Sequence, residues 1–136
     1  MIRAAWTAPV RYAECDQQGI VFNAHYLVWC DEAVVGWFRA TGAGYDALLG
    51  RGLDTRVVSS TLDWSSSARY GDVVEVDVGT DRVGGSSFVV AFDVRVGDRR
   101  CCRVRTTYVL VDADGRPTRV PDDLRTAWEA VPAVPA

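Results

Sequence analysis

The chain has 136 residues, a length that suits one hydrophobic core and argues for a single domain spanning 1–136. Apolar residues make up 49% and charged residues 24%, as in ordinary globular proteins, and no apolar run approaches the ~18 residues that would span a bilayer. A net charge of −3 lacks the basic excess expected of nucleic-acid binding, and all fifteen basic residues are Arg, so an anion would be held by guanidinium forks or backbone N–H groups.

Met1 to Trp6 carries no basic region followed by an apolar stretch, so the cytoplasm is the expected location. Thr7 to Tyr12 reads as an opening strand, with Pro9 placing it at an edge or near a bulge. From Asn23 to Thr41 the period is helical: Leu27, Cys30, Val34, Trp37 and Phe38 recur at spacings of three and four. Asn23 is the expected N-cap and Gly42 the stop. Tyr45 to Leu49, between Gly44 and Gly50, reads as a further short helical turn. The Gly42 to Ala47 stretch matches G-x-G-x-x-A, but it follows a helix rather than a strand and lacks the setting of a dinucleotide site.

The period then falls to two. Thr55 to Ser66 is rich in Thr, Val and Ser; Val74, Val76 and Val78 alternate with Glu75 and Asp77. Phe88 to Val96 and Cys102 to Leu110 each carry an apolar face, with hairpin signals at Gly84-Gly85 and Gly97-Asp98. Pro121 to Glu129 reads as helical and 131–136 as a loose tail. A strand, one long helix and four or more antiparallel strands predict an α+β fold in which a curved antiparallel sheet wraps around one long central helix. Cys101 and Cys102 are adjacent and no CxxC pair occurs, so the four cysteines read as reduced thiols, with no metal and no cofactor expected.

The chemistry concentrates between Tyr12 and Tyr26. This stretch holds two carboxylates, Glu14 and Asp16, the thiol of Cys15, Gly19 and the only histidine, His25. It leads into a helix N-terminus, whose unpaired N–H groups and positive dipole end stabilise an oxyanion or a phosphate. An Asp just upstream of such a terminus can serve as base or nucleophile toward a carbonyl bound there. Asp and Gly are also ordinary loop residues, so spacing alone leaves both readings open.

The run Asp16-x-x-Gly19-Ile20-Val21-Phe22-Asn23-Ala24-His25-Tyr26-Leu27, continuing through Trp29, Asp31, Glu32 and Ala33, resembles the signature of the 4-hydroxybenzoyl-CoA thioesterase-like hotdog family. Arg69 to Asp72, Gly85 to Phe88 and Val111-Asp112 with Pro117 and Pro121 are similar to its later turns and last strand. The resemblance implies a hotdog fold assembling as a dimer with sites at the subunit interface, and often as a homotetramer. It implies hydrolysis of an acyl-CoA thioester, with Asp16 as general base or nucleophile and the backbone N–H at or near Asn23 as oxyanion donor. Some relatives carry His where Asn23 stands, and many carry Arg where Val34 stands.

His25, in the first helical turn, is a candidate to donate to substrate or orient Asp16; a structural role is as well supported. Gly19, Val21 and Tyr26 are candidate substrate-binding positions within the motif. Arg82 and Ser86, beside the Gly84-Gly85 turn, are candidates to meet the CoA pantetheine and phosphates. Glu14 reads as a solvated or salt-bridged carboxylate. A Cys15–His25–Asp31 nucleophilic set is the rival mechanism, set against a packing role for Cys15. The rival functions are a thioesterase acting on acyl groups carried by a carrier protein, a hotdog dehydratase or hydratase, and a non-catalytic acyl-binding protein. No G-x-S-x-G elbow and no H-E-x-x-H motif is present, which disfavours serine hydrolases and zinc proteases.

Overall fold

The computed structural model describes residues 1–42 and 44–136; Ala43, within the Gly42 to Ala47 pattern, lies outside the described residues. Five strands, β1 (Ile2–Pro9), β2 (Asp54–Trp64), β3 (Val73–Val83), β4 (Ser87–Val96) and β5 (Arg99–Val111), form one antiparallel sheet in the order β1-β3-β4-β5-β2. Among the described residues three α-helices accompany them, α1 (Ala24–Ala40) and α2 (Gly44–Gly50) between β1 and β2 and α3 (Asp122–Glu129) after β5, with a 3-10 turn at Tyr12–Glu14. The α+β class is as expected.

The helical cover of the sheet does not come from one element alone. Trp37 of α1 stacks on Phe88 of β4 at 5.6 Å and 8°, and Trp128 of α3 meets the same ring at 4.5 Å. Val74, Val76, Val78, Phe92, Val94 and Val104 are fully buried on this side, giving the apolar layer that the alternating pattern predicts. The polar edges of the aromatic cluster are satisfied: Trp37 Nε1 donates to Thr80 Oγ1 at 2.9 Å, and that hydroxyl donates to the Trp128 carbonyl at 2.6 Å. Removing a large ring from such a site typically costs about 3–5 kcal/mol, a large share of the ~5–15 kcal/mol by which domains are stable.

On α1 the buried stripe runs through Tyr26, Trp29, Cys30, Ala33 and Trp37, while Leu27, expected on that face, is 37% exposed. The stripe starts one residue earlier because the aromatic rings of Tyr26 and Trp29 fill the space near the sheet. Asn23 occupies the N-cap position but does not cap: its φ of −53° and ψ of −34° are already helical, and its side chain makes no capping bond. The first turn is instead held by His25 N–H to Phe22 O (3.1 Å) and Tyr26 N–H to Asn23 O (3.3 Å).

β1 begins five residues before the predicted Thr7 and ends at Pro9, on the sheet edge where a missing N–H is tolerated. A register shift between Ile2 and Trp6 breaks the alternation that would have revealed it. Ala4 sits there at φ 46°, and its N–H donates to Asp77 Oδ1 at 2.8 Å. Asp77, fully buried, also accepts from Arg95 Nε at 2.9 Å and Nη2 at 3.1 Å. Burial pushes the Asp77 carboxyl up, but the Arg95 fork and the Ala4 N–H outweigh it and hold it below the usual carboxylate range.

The 131–136 segment, expected to be loose, lies docked on the outer face of the sheet. Val134 is 2% exposed, its carbonyl accepts from Arg103 Nη2 at 3.2 Å, and the Pro135 carbonyl accepts from Arg100 Nη2 at 2.9 Å. Gly79 permits the approach: a Cβ there would stand 2.8 Å from Val134 N and closer still to Pro132 O. This cover explains why Val89 and Ala91 of β4 are buried along with the opposite face. None of the described helices is long and apolar enough to cross a membrane.

Candidate active site

The segment from Cys15 to Val21 folds back on itself. Cys15 bridges Val21 antiparallel, Asp16 N–H donates to Ile20 O at 2.9 Å, and Gly19 N–H donates to Asp16 O at 3.0 Å. Gly19 takes φ 76°, a left-handed conformation in which a side chain would be strained. Asp16 Oδ1 accepts the Gln18 N–H at 2.8 Å, which fixes the carboxylate at the corner of the turn. Among the described residues Oδ2 has no hydrogen-bond partner.

Two further bonds dock this turn: Val21 N–H to Ala68 O and Phe22 N–H to Glu14 O, both 2.9 Å. Glu14 is not solvated, as one reading of the sequence held, but 4% exposed. It accepts from Arg11 N at 2.7 Å and from Trp29 Nε1 at 3.1 Å, and it pairs with the Arg11 guanidinium. Burial raises its pKa, and the bonds from Arg11 and Trp29 more than reverse that, so the net direction is downward. Glu14 is therefore an anionic strut beneath the turn.

A cavity of about 480 Å³ opens beside the turn. Asp16, Gln18, Ile20, Val21, Asn23 and Tyr26 form one wall, and Trp64 at the end of β2 with Ser65, Ser66 and Ser67 just after it form the other. That second wall is fastened to β5: Ser65 N–H donates to Cys101 O at 2.9 Å, and Arg99 Nη1 donates to Ser66 Oγ at 2.6 Å and Ser67 O at 3.0 Å. Among the described residues no hydrogen-bond acceptor meets the Asn23 or Ala24 N–H groups. The positive end of α1 thus opens at the cavity that Asp16 lines. Tyr26, 1% exposed, accepts the Ala68 N–H on its hydroxyl at 3.0 Å, and burial pushes its phenol above the ordinary value.

Of the predicted site residues, Asp16, Val21, Asn23 and Tyr26 meet at this cavity. Gly19 faces a neighbouring depression with Asp16, Cys15, Tyr12 and Tyr70. His25 is half-buried, its ring 6.4 Å from Phe22, and no hydrogen bond among the described residues joins it to Asp16. Nor does one join any pair within Cys15, His25 and Asp31; the Cys15 thiol faces Arg11 O at 3.9 Å. Arg82 and Ser86 stand at the far end of the sheet. Ser65 bonds Cys101 while Ser86 O accepts from Leu110, nine residues along β5, or roughly 30 Å at ~3.3 Å per residue. Trp64 and the three serines were missed because tertiary contacts bring them to the motif, the Ala68 bonds to Val21 and Tyr26 and the packing of Trp64 on the Tyr26 ring, all about 40 residues away in sequence. Among the described residues no three His, Cys, Asp or Glu side chains cluster as a metal cage requires.

A free carboxylate oxygen and a free helix-start N–H on one cavity constitute an acceptor for water and a donor for a carbonyl. The family model described as "Thioesterase-like superfamily" matches residues 10–128. The chain belongs to the thioesterase-like superfamily. The relatives agree with the assignment. A Bacillus subtilis (strain 168) protein carrying the provisional name acyl-CoA thioesterase YneP is 29% identical over 85 residues, a match covering 62% of each chain. A 1,4-dihydroxy-2-naphthoyl-CoA hydrolase of Nostoc punctiforme is 23% identical over 117 residues, covering 85% of this chain and 79% of the relative. Among solved structures, the hypothetical protein TT1821 of Thermus thermophilus superposes with a TM-score of 0.85 at 27% identity, covering 93% of this chain and 97% of the other. The family match takes in every element that lines the cavity, from the Asp16 turn of this thioesterase-like chain to its serine wall.

Proposed function

We propose that this protein hydrolyses an acyl-CoA thioester to the free acid and CoA at the Asp16 cavity. One observation carries the reading: Asp16, with one carboxylate oxygen unbonded, and Asn23, with its N–H unpaired, line the same cavity of about 480 Å³. The Asn23 N–H polarises the thioester carbonyl, and Asp16 either removes a proton from the attacking water or attacks the carbonyl itself; the thiolate of CoA leaves, and in the second case water then hydrolyses the acyl-Asp16 anhydride to the free acid and restores the carboxylate. Gly19 shapes the turn, and Val21 and Tyr26 contact the acyl end. His25, in the first turn of α1, is the candidate to donate to substrate or orient Asp16.

Within this reading the molecule is a single hotdog domain, with α1 as the central helix that the sheet wraps. Arg82 and Ser86 lie too far from their own cavity to reach its substrate, so they serve CoA bound at the cavity of another subunit in a dimer or homotetramer. What supports assembly is β2, an edge strand whose Val57 and Val58 are 56% and 58% exposed. Four free thiols go with the cytoplasm, where CoA thioesters are used.

The test is thiol release from short, long and aromatic acyl-CoAs, run beside the same acyl groups on a phosphopantetheine carrier protein. Turnover of CoA esters supports the reading. Turnover on the carrier alone replaces the substrate, and binding without turnover on either makes the protein an acyl-binding one.

A further inference from the structure

Tyr26 carries a hydrogen-bonding capacity that the fold does not use. Its hydroxyl oxygen accepts the Ala68 N–H at 3.0 Å, but among the described residues no acceptor takes the hydroxyl proton. The side chain is 1% exposed, so bulk water does not satisfy that proton freely. A buried hydroxyl that accepts one bond still has its proton to place, and in native structures another polar group, an ordered water or a ligand takes it.

The hydroxyl's position is well defined. Trp29 and Trp64 meet the Tyr26 ring edge-on at 5.1 and 5.8 Å, which fixes its plane. The oxygen accepts from Ala68, the chain neighbour of Ser67, and Tyr26 and Ser67 both line the cavity. Asn23 and Tyr26 are three apart at the start of α1 and share one face. The residues lining the cavity therefore bring one free anionic acceptor, on Asp16, and two free donors, on Asn23 and Tyr26 three positions apart. Water to be deprotonated needs the acceptor. A carbonyl gaining negative charge needs the donors.

We propose that the Tyr26 hydroxyl is the second oxyanion donor, hydrogen-bonding the thioester carbonyl oxygen together with the Asn23 N–H. This rests on the thioesterase reading above and names a role within it. No proton is transferred: the phenol donates a hydrogen bond that shortens as the carbonyl oxygen becomes an alkoxide, and relaxes when the C=O re-forms and the C–S bond breaks. Burial keeps the phenol neutral through the physiological range, so the donor is present at every working pH.

The test uses two perturbations of the full chain. Tyr26→Phe removes only the hydroxyl and is expected to lower kcat about 10²-fold with KM within about twofold. Because that variant also strips Ala68 of its acceptor, 3-fluorotyrosine at position 26 provides the control that preserves shape and the Ala68 bond. Its more acidic phenol donates more strongly, so kcat should stay level or rise while Tyr26→Phe falls. The direct readout is the infrared carbonyl band of a 13C-labelled S-(2-oxoalkyl)-CoA, which keeps the carbonyl and cannot be hydrolysed. The bound band should lie at lower wavenumber in wild type than in Tyr26→Phe. Identical bands, or a fluorotyrosine protein as slow as Tyr26→Phe, overturn the role and leave the hydroxyl as a structural acceptor for Ala68. Absence of thioester turnover by wild type overturns the thioesterase reading itself, and this inference with it.

Discussion

Asn23→Pro separates the backbone donor from the fold more cleanly than any side-chain deletion could. Proline fixes φ near −65 ± 15° and removes the N–H. Asn23 already has φ −53°, lies just before the first helical residue, and loses no hydrogen bond when its N–H is removed. Its side chain is exposed and caps nothing, so nothing is lost there either. Proline in a helix interior costs ~3 kcal/mol, whereas at the helix start it is well tolerated, and the expected change in stability is within about 1 kcal/mol. Loss of one oxyanion donor costs ~10²–10³ in kcat, about 2.7–4 kcal/mol of transition-state stabilisation. Thiol release at saturating acyl-CoA gives kcat, and urea unfolding followed by tryptophan fluorescence gives stability. Asn23→Ala, which keeps the N–H, should retain wild-type kcat within a few-fold. A folded Asn23→Pro protein with wild-type kcat would refute the assignment of this N–H to the carbonyl.

Glu14→Ala leaves the buried Trp29 indole N–H and the Arg11 N–H without an acceptor and should destabilise the protein by about 2–4 kcal/mol at pH 7. Because the folded-state pKa of Glu14 is depressed, its charge contributes stability above the unfolded value of ~4.3 and loses it as pH falls through the folded value. The gap between wild type and variant in urea midpoints should therefore narrow in acid; a gap that widens below pH ~4 contradicts the stated direction. Gly79→Val places side-chain atoms where the Pro132 to Val134 backbone lies, so 131–136 should lift off and re-expose Val134. The expected cost is about 2 kcal/mol, with new protease cleavage in 131–136; an uncleaved variant of wild-type stability would show that the segment does not depend on that approach.

Elements whose periodicity is local were legible in the sequence. Val74, Val76 and Val78 could be assigned because they alternate with polar residues, and Phe88 to Val94 because a strand buried on both faces is a short apolar run bounded by turn residues. Gly44 and Gly50 bounded a real short helix. The opening strand was displaced because the bulge at Ala4 interrupts its alternation, and the bulge is stabilised by Asp77, 73 residues away. The docking of 131–136 depended on a glycine in β3 and two arginines in β5, and no spacing within a Pro-Ala-Val segment encodes that. At the cavity, Asp16 and Asn23 stood out because a carboxylate turn and a helix start are adjacent in sequence. Trp64 and the serines did not, because their place opposite Asp16 is created by Ala68 bonding both Val21 and Tyr26. The salt-bridged reading of Glu14 holds through Arg11, whereas its burial was not legible because the indole of Trp29 that it bonds lies 15 residues further on.

The most direct test of the account is acyl-CoA thiol release by wild type and Asp16→Asn in parallel. Asparagine keeps an Oδ1 to accept the Gln18 N–H at 2.8 Å, so the turn survives while the basic oxygen is lost. Substantial wild-type turnover that falls ~10²–10⁴-fold in a variant of unchanged stability is the predicted result. Equal turnover by the two proteins would contradict it and remove Asp16 from the chemistry.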